Sequence, residues 1–190
     1  MNHLILAITG ASGPIYGIRL LQLLAKMPDI ETHLVLSQAA RITIAQETDF
    51  IPAQVEALAD VVYRPGDIGA AIASGSFAAH GMIVAPCSIK TLSAIAHSYA
   101  NDLIARAADV QLKEGRPLLL MVRETPLHLG HLRLMTQAAE MGAIIFPPVP
   151  AFYARPQTLD EMVMNTVGRM LARIGIPNDA FSEWRGIGKA

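Results

Sequence analysis

Four hydroxyl side chains, Ser12, Ser37, Ser88 and Thr91, stand just past apolar runs that read as strands. Neutral donors placed there suit a phosphate or a polar heterocycle. Each also reads as an ordinary helix N-cap, because Ser and Thr satisfy the free N–H groups of a first turn. Ser12 belongs to Gly10-Ala11-Ser12-Gly13, which joins an apolar strand pattern to an amphipathic helix pattern. Glycines let the backbone approach a ligand closely, and a helix start turns free N–H groups and partial positive charge toward it. An anion is the expected guest. Both the dinucleotide spacing Gly-x-Gly-x-x-Gly and the Gly-Lys-Ser/Thr phosphate loop are absent. One phosphate attached to a flat ring, as in flavin mononucleotide (FMN), fits better than a dinucleotide.

Two carboxylates sit where they could move protons: Glu47 in "ETD" at the end of a helix pattern, and Glu124 directly after Arg123 at a strand end. Solvated surface charges would look the same. Arg106, Lys113, Arg123 and Arg169 are candidates for a second anion, and by spacing alone each is equally a helix-end or surface cation. His128 and His131 lie three apart, but no Cys or spaced acidic group completes a zinc set, so no metal is expected. Cys87, between a Pro and a Ser after an apolar run, is expected to pack rather than react.

The elements that must hold these residues alternate. Strand patterns at Leu4–Ile8, Thr32–Leu36, Met82–Ala85, Leu118–Val122 and Ala143–Ile145 are separated by helical ones. The helices are expected at Pro14–Lys26, Gln38–Gln46, Ile89–Ser98, Asp102–Lys113, Leu127–Met141 and Leu159–Ile174. The segment Phe50–Ala79 has no clear period, and "ASGSF" within it looks like a further ligand loop. The alternation predicts a three-layer α/β fold, a Rossmann- or flavodoxin-like doubly wound, mainly parallel sheet. Ligands in such sheets sit beyond the carboxyl ends of the strands, where the candidate side chains cluster.

The 190 residues fit one α/β domain. Fifteen basic residues against sixteen acidic ones, with no basic run, argue against nucleic acid as a partner. The apolar runs are strand-sized, so no membrane span is expected. The start "MNHLILAITG" lacks the basic region of a secretory signal, and the single cysteine suits a reducing compartment, so a cytoplasmic location is expected. Apolar content of 52% without a span points to surface buried between subunits, hence a homo-oligomer.

In order along the chain stand "TGASG", "ETD", "ASGSF", "PCSIKTLSAIA", "NDLIARAADV", "LKEGRPL", "RETPLHLGHL" and "PPVPAFYARPQT". This string resembles the UbiX-type flavin prenyltransferases, a family linked to the ubiquinone pathway and related to phenolic-acid decarboxylase B subunits. The resemblance implies transfer of a dimethylallyl group from dimethylallyl monophosphate to N5 of reduced FMN, with ring closure to C6. The prenylated FMN would serve a UbiD-type decarboxylase. It implies that Gly10, Ala11, Ser12, Ser37, Ser88, Ile89, Lys90, Thr91 and Arg123 contact the flavin. Lys113, Tyr153 and Arg169 would hold the prenyl phosphate, joined by Arg106 from a neighbouring subunit. Ser12, Glu47 and Glu124 would handle protons, and Trp184 would wall the prenyl chain. The same resemblance suggests a dodecamer, with a tail from about residue 175 to 190 docked on its own or a neighbouring subunit.

Two positions depart from the family pattern: Pro14 stands where Ala is frequent, and Gly115 where Arg is common. Pro is well tolerated in a first helical turn, and Gly is a good helix C-cap. An FMN-dependent oxidative decarboxylase of cysteine-type substrates is the alternative enzyme. That class carries a catalytic His after an early helix and a "PASANT"-like loop, whereas this chain reads "ASGSFAAHG" and its His80 falls outside the pattern. A non-enzymatic flavin carrier would need the flavin loops but not the second cationic set.

Overall fold

Leu4, Leu6 and Ile8 of the first strand face one side of a sheet and Ile5 and Ala7 the other, and all five are fully buried. Burial on both faces is why this run reads as continuously apolar, as strands of helix-covered parallel sheets do. A computed structural model describes residues 2 to 184 together with 186 and 187. Its strands are β1 (Asn2–Ile8), β2 (Ile30–Leu36), β3 (Val61–Tyr63), β4 (Ala79–Cys87), β5 (Leu118–Val122) and β6 (Ile144–Ile145). They form one sheet in the order β3-β2-β1-β4-β5-β6, parallel throughout. The helices are α1 (Ile15–Leu24), α2 (Gln38–Glu47), α3 (Pro52–Glu56), α4 (Ile89–Ala96), α5 (Leu103–Lys113), α6 (Leu129–Glu140) and α7 (Leu159–Arg173).

The helices divide between the faces. Buried residues of α1, α2, α3 and α7, such as Ile18, Ile44, Val55 and Val167, pack with Leu4 and Leu6. Those of α4, α5 and α6, such as Leu92, Ala107 and Ala138, pack with Ile5 and Ala7. The expected three layers are present. The chain runs outward from β1 through β2 to β3, then returns to place β4 on the other side of β1. That reversal opens a crevice at the carboxyl ends of β1 and β4, the preferred ligand position of this topology.

The unassigned stretch Phe50–Ala79 contains α3, β3 and a 3-10 turn at Ala71–Ala73. β3 is a three-residue edge strand, part-exposed along its length, and so lacks the apolar run that reveals the inner strands. "ASGSF", expected among the ligand loops, ends two residues before β4 and therefore lies at the amino ends of the strands. This chain does not bring it to its own crevice.

Candidate active site: a cleft at the strand ends and two exposed half-sites

The crevice is a cleft of about 220 Å³ lined by Gly10, Ser37, Ala39, Pro65, Ser88, Lys90, Thr91, Asn101, Asp102 and Ala105, among others. Three helices of eight or more residues begin on it. Ser37 caps α2 by accepting from Ala40 N–H at 3.0 Å, Ser88 caps α4 by accepting from Thr91 N–H at 3.3 Å, and Asp102 caps α5 by accepting from Ala105 N–H at 2.9 Å. Each cap satisfies one N–H and leaves others of the first turn turned toward the cleft, with the positive ends of three helix dipoles behind them. The hydroxyls are therefore both caps and wall, whereas the part-buried Ile89 packs its side chain against the core. At Gly10 a Cβ would overlap the Cβ of Ala39, so α2 can lie this close only against glycine. The cleft thus suits an anion attached to a flat group.

One buried side chain that the residue pattern did not single out ties the crevice together. Thr9, at the end of β1 and 1% exposed, donates its hydroxyl to Pro86 C=O at 2.7 Å and accepts from Ser88 N–H at 2.8 Å. It joins the turns after β1 and β4. Beside the cleft, the Glu47 carboxylate accepts from Ser12 Oγ at 3.1 Å and from Gly13 N–H at 2.8 Å. Residues 35 apart in sequence are thereby paired at the turn that opens α1. Burial raises the Tyr16 phenol above its ordinary value and the nearby Arg123 guanidinium opposes this, so Tyr16 stays neutral with Arg123 close by. Tyr16 has no motif to mark it; only its place in the first turn of α1 brings it here. Glu124, next to Arg123, is exposed and accepts from Thr125 N–H at 2.9 Å. Among the described residues its side chain thus bonds its own loop rather than Ser12 or Glu47.

The four cations do not converge within one chain. Lys113 lies at the far end of α5 from the cleft, eight residues beyond Ala105, which is about 12 Å along a helix. It is ion-paired with Glu114. Arg106 points to Ala73 C=O at 3.1 Å and to Asp109 at 2.9 Å. Arg116 donates to Phe77 C=O at 2.6 Å and Gly75 C=O at 2.8 Å, so "ASGSF" and these basic residues form one cluster at the amino end of β4. On the β6 side, Arg169 of α7 lies 5.8 Å over the Phe146 ring, and Tyr153 meets Trp184 edge-on with ring centroids 5.7 Å apart. Tyr153 and Trp184 are 44% and 61% exposed, too open to hold an apolar guest without a further wall.

The remaining candidates have structural partners. His128 caps α6, its Nδ1 accepting from Gly130 and His131 N–H at 3.0 and 3.4 Å, so that nitrogen is engaged. Cys87 is fully buried, which pushes its thiol up to about 12 and makes it the packing residue its context suggested. His80 contacts Ile174 C=O at 2.8 Å, at the end of the molecule opposite the crevice. Among the described residues, the groups that can bring three metal-ligating side chains together are His3, Glu31 and His33, which had not been singled out.

Comparison with known proteins agrees with this arrangement. The Flavoprotein family model matches residues 1–170. Flavin prenyltransferase UbiX of Escherichia coli K12 is 63% identical over 188 residues, covering 98% of this chain and all of that protein. The crystal structure of AnUbiX (PadA1) in complex with FMN and dimethylallyl pyrophosphate superposes with a TM-score of 0.95 at 48% identity, over 97% of this chain and 98% of the other. A dodecameric FMN-dependent UbiX-like decarboxylase from Escherichia coli O157:H7 superposes at 0.94, again at 48% identity, over 97% of this chain and all of that one. With a strand-end cleft shaped for an anionic flat ligand and this likeness along its whole length, the chain belongs to the UbiX flavin prenyltransferases of the flavoprotein family.

Proposed function

We propose that the cleft binds FMN and that the protein transfers a dimethylallyl group from dimethylallyl monophosphate to N5 of reduced FMN. The C–O bond of the prenyl phosphate breaks, its electron pair leaves on inorganic phosphate, and N5 gives up a proton. Closure onto C6 then moves one proton onto the prenyl alkene and one off C6. The observation that carries this reading is the convergence of three helix N-termini on a cleft whose Gly10 has no room for a side chain.

Gly10, Ala11, Ser12, Ser37, Ser88, Ile89, Lys90, Thr91 and Arg123 are assigned to the flavin. Ser12, paired with Glu47, is placed to pass a proton at the turn, and Glu124 serves the same purpose once it swings from its own loop. Tyr153 and Arg169 grip the prenyl phosphate and Trp184 shields the allylic carbon from water; donors of this kind stabilise leaving-group charge without a metal. A cleft near 220 Å³ is smaller than the roughly 300–1,000 Å³ of enclosing ligand pockets. Lys113 points away from it as well, so both Arg106 and Lys113 are assigned to the site of an adjacent subunit. Sites built in this way require a homo-oligomer, and the dodecameric relative supplies its most direct precedent.

The whole chain is read as one flavoprotein domain. Residues 175 to 184 of its tail lie against α7, where the Asn178 amide donates to Gly168 C=O at 3.0 Å, and carry Trp184 to Tyr153; residues 185 and 188 to 190 of that tail lie outside the described residues. The product is read as a cofactor for a UbiD-type decarboxylase in the cytoplasm. Anaerobic incubation with reduced FMN and dimethylallyl monophosphate, followed by mass and absorption spectra of the bound flavin, tests the reaction. A five-carbon mass gain is expected; unmodified flavin would leave a carrier.

A further inference from the structure

At the amino ends of the strands, remote from the cleft, three ligating atoms meet. The register pairs His3 of β1 with Glu31 of β2, and His33 stands two residues on, so all three side chains project from the sheet face that also carries Ile5 and Val35. His3 Nδ1 lies 3.1 Å from Glu31 Oε1, His33 Nε2 lies 2.9 Å from the same oxygen, and the two nitrogens are 3.2 Å apart. Four ligands arranged tetrahedrally at about 2.0–2.1 Å from a zinc ion stand about 3.3 Å from one another. The triangle nearly matches one face of that tetrahedron.

From this geometry we propose that His3, Glu31 and His33 bind a zinc-class divalent cation, with the fourth position left to water. Two imidazole nitrogens and one carboxylate select zinc or cobalt over magnesium or calcium, which prefer all-oxygen sets. The site is built on paired strands, so little ordering is needed on binding. His33 is 3% exposed, while His3 and Glu31 are about 30% exposed and leave a path for the ion. The second nitrogen of His33 bonds the Tyr63 hydroxyl at 3.0 Å, the outer partner that fixes ring orientation in metal-bound histidines. The Phe77 ring, 5.0 and 4.9 Å from the two imidazoles, closes the inner side. His3 Nδ1 and His33 Nε2 each carry at most one hydrogen, so hydrogen bonding alone leaves one of the three contacts unbridged. A cation on the triangle satisfies all three atoms.

His33 stands four residues from Ser37, about 13 Å along β2, so this ion takes no part in prenyl transfer. Zinc titration by calorimetry of untagged, EDTA-stripped protein tests the site, with cobalt substitution as a spectroscopic check. One zinc per chain is expected, with the intense visible bands of tetrahedral cobalt. His3→Ala and Glu31→Gln should each weaken binding at least tenfold without altering FMN affinity. Tyr63→Phe should weaken it about tenfold, the scale of a lost outer partner. His33 is left intact because its burial makes substitution a folding risk. The proposal is overturned if wild-type protein shows no saturable zinc at one per chain, or if His3→Ala and Glu31→Gln bind as tightly as wild type. It is equally overturned if His128→Ala removes the zinc, which would move the ion to the α6 pair.

Discussion

Glu124 and Arg169 carry the division of labour in the proposed reaction. Glu124→Gln keeps size and hydrogen bonding but cannot accept a proton, so turnover should fall by about 10²-fold or more while FMN still binds. Arg169→Ala removes a charge-assisted contact worth about 1.5–3 kcal/mol and should chiefly raise the prenyl-phosphate concentration needed. Steady-state kinetics with flavin occupancy followed by absorbance separates the two; near-normal behaviour of both variants would return Glu124 and Arg169 to the surface. Cys87 makes a different prediction. Its folded thiol, at about 12, lies above the ordinary cysteine value near 8.5, so the folded state holds its proton longer than the unfolded chain does. Stability from this group is therefore complete below about pH 8.5 and is lost as pH rises toward 12. Native protein should resist thiol reagents at pH 8 until denaturant is added, and Cys87→Ala should flatten the alkaline limb of the stability profile.

Among the elements, α1 illustrates how closely the crevice is built. Gly17 is buried, and a Cβ there would run into Ala85 C=O and the Ile8 side chain, which belong to the strand ends that flank the site. Gly17→Ala gains helix propensity, about 1 kcal/mol at most, yet forces the helix away from β1 and β4. Overpacking of this kind costs about 1–3 kcal/mol, so net destabilisation is expected. Urea unfolding measures it, and FMN affinity should fall in step because α1 carries the Ser12 turn. An unchanged midpoint together with unchanged affinity would mean that α1 shifts freely.

For the whole molecule, seven of the fourteen exposed large apolar side chains among the described residues fall in two stretches: Leu127, Leu129 and Leu132 around the start of α6, and Val149, Phe152, Tyr153 and Leu159 after β6. Clusters of this kind suit the proposed contact between subunits. The double variant Leu129→Glu, Leu132→Glu should shift sedimentation to smaller species with an unchanged circular dichroism spectrum. Transfer should fall at least tenfold in the same variant if Arg106 and Lys113 complete an adjacent subunit's site, as proposed. Retained mass would place the subunit contact elsewhere.

The linear chain by itself determined the layered fold. Its inner strands carry apolar runs, Leu4–Ile8, 34–36, Met82–Ala85 and Leu118–Val122, because both faces are covered there, and its helices carry an apolar stripe because one face is, so both periods are legible without a partner. β5 was expected and found at Leu118–Val122. Ser37 and Ser88 were legible as helix caps, and the same hydroxyl at a helix start suits the ligand contact proposed for them. Tertiary structure alone decided the pairings. Nothing in the spacing joins Ser12 to Glu47, Thr9 to Pro86 and Ser88, or His3 to Glu31 and His33, since each depends on strand register and on which face a side chain takes. It alone also showed that α5 carries Lys113 away from the cleft: residues near in sequence separate by 1.5 Å for each residue of helix, whereas neighbouring parallel strands lie under 5 Å apart whatever their distance along the chain.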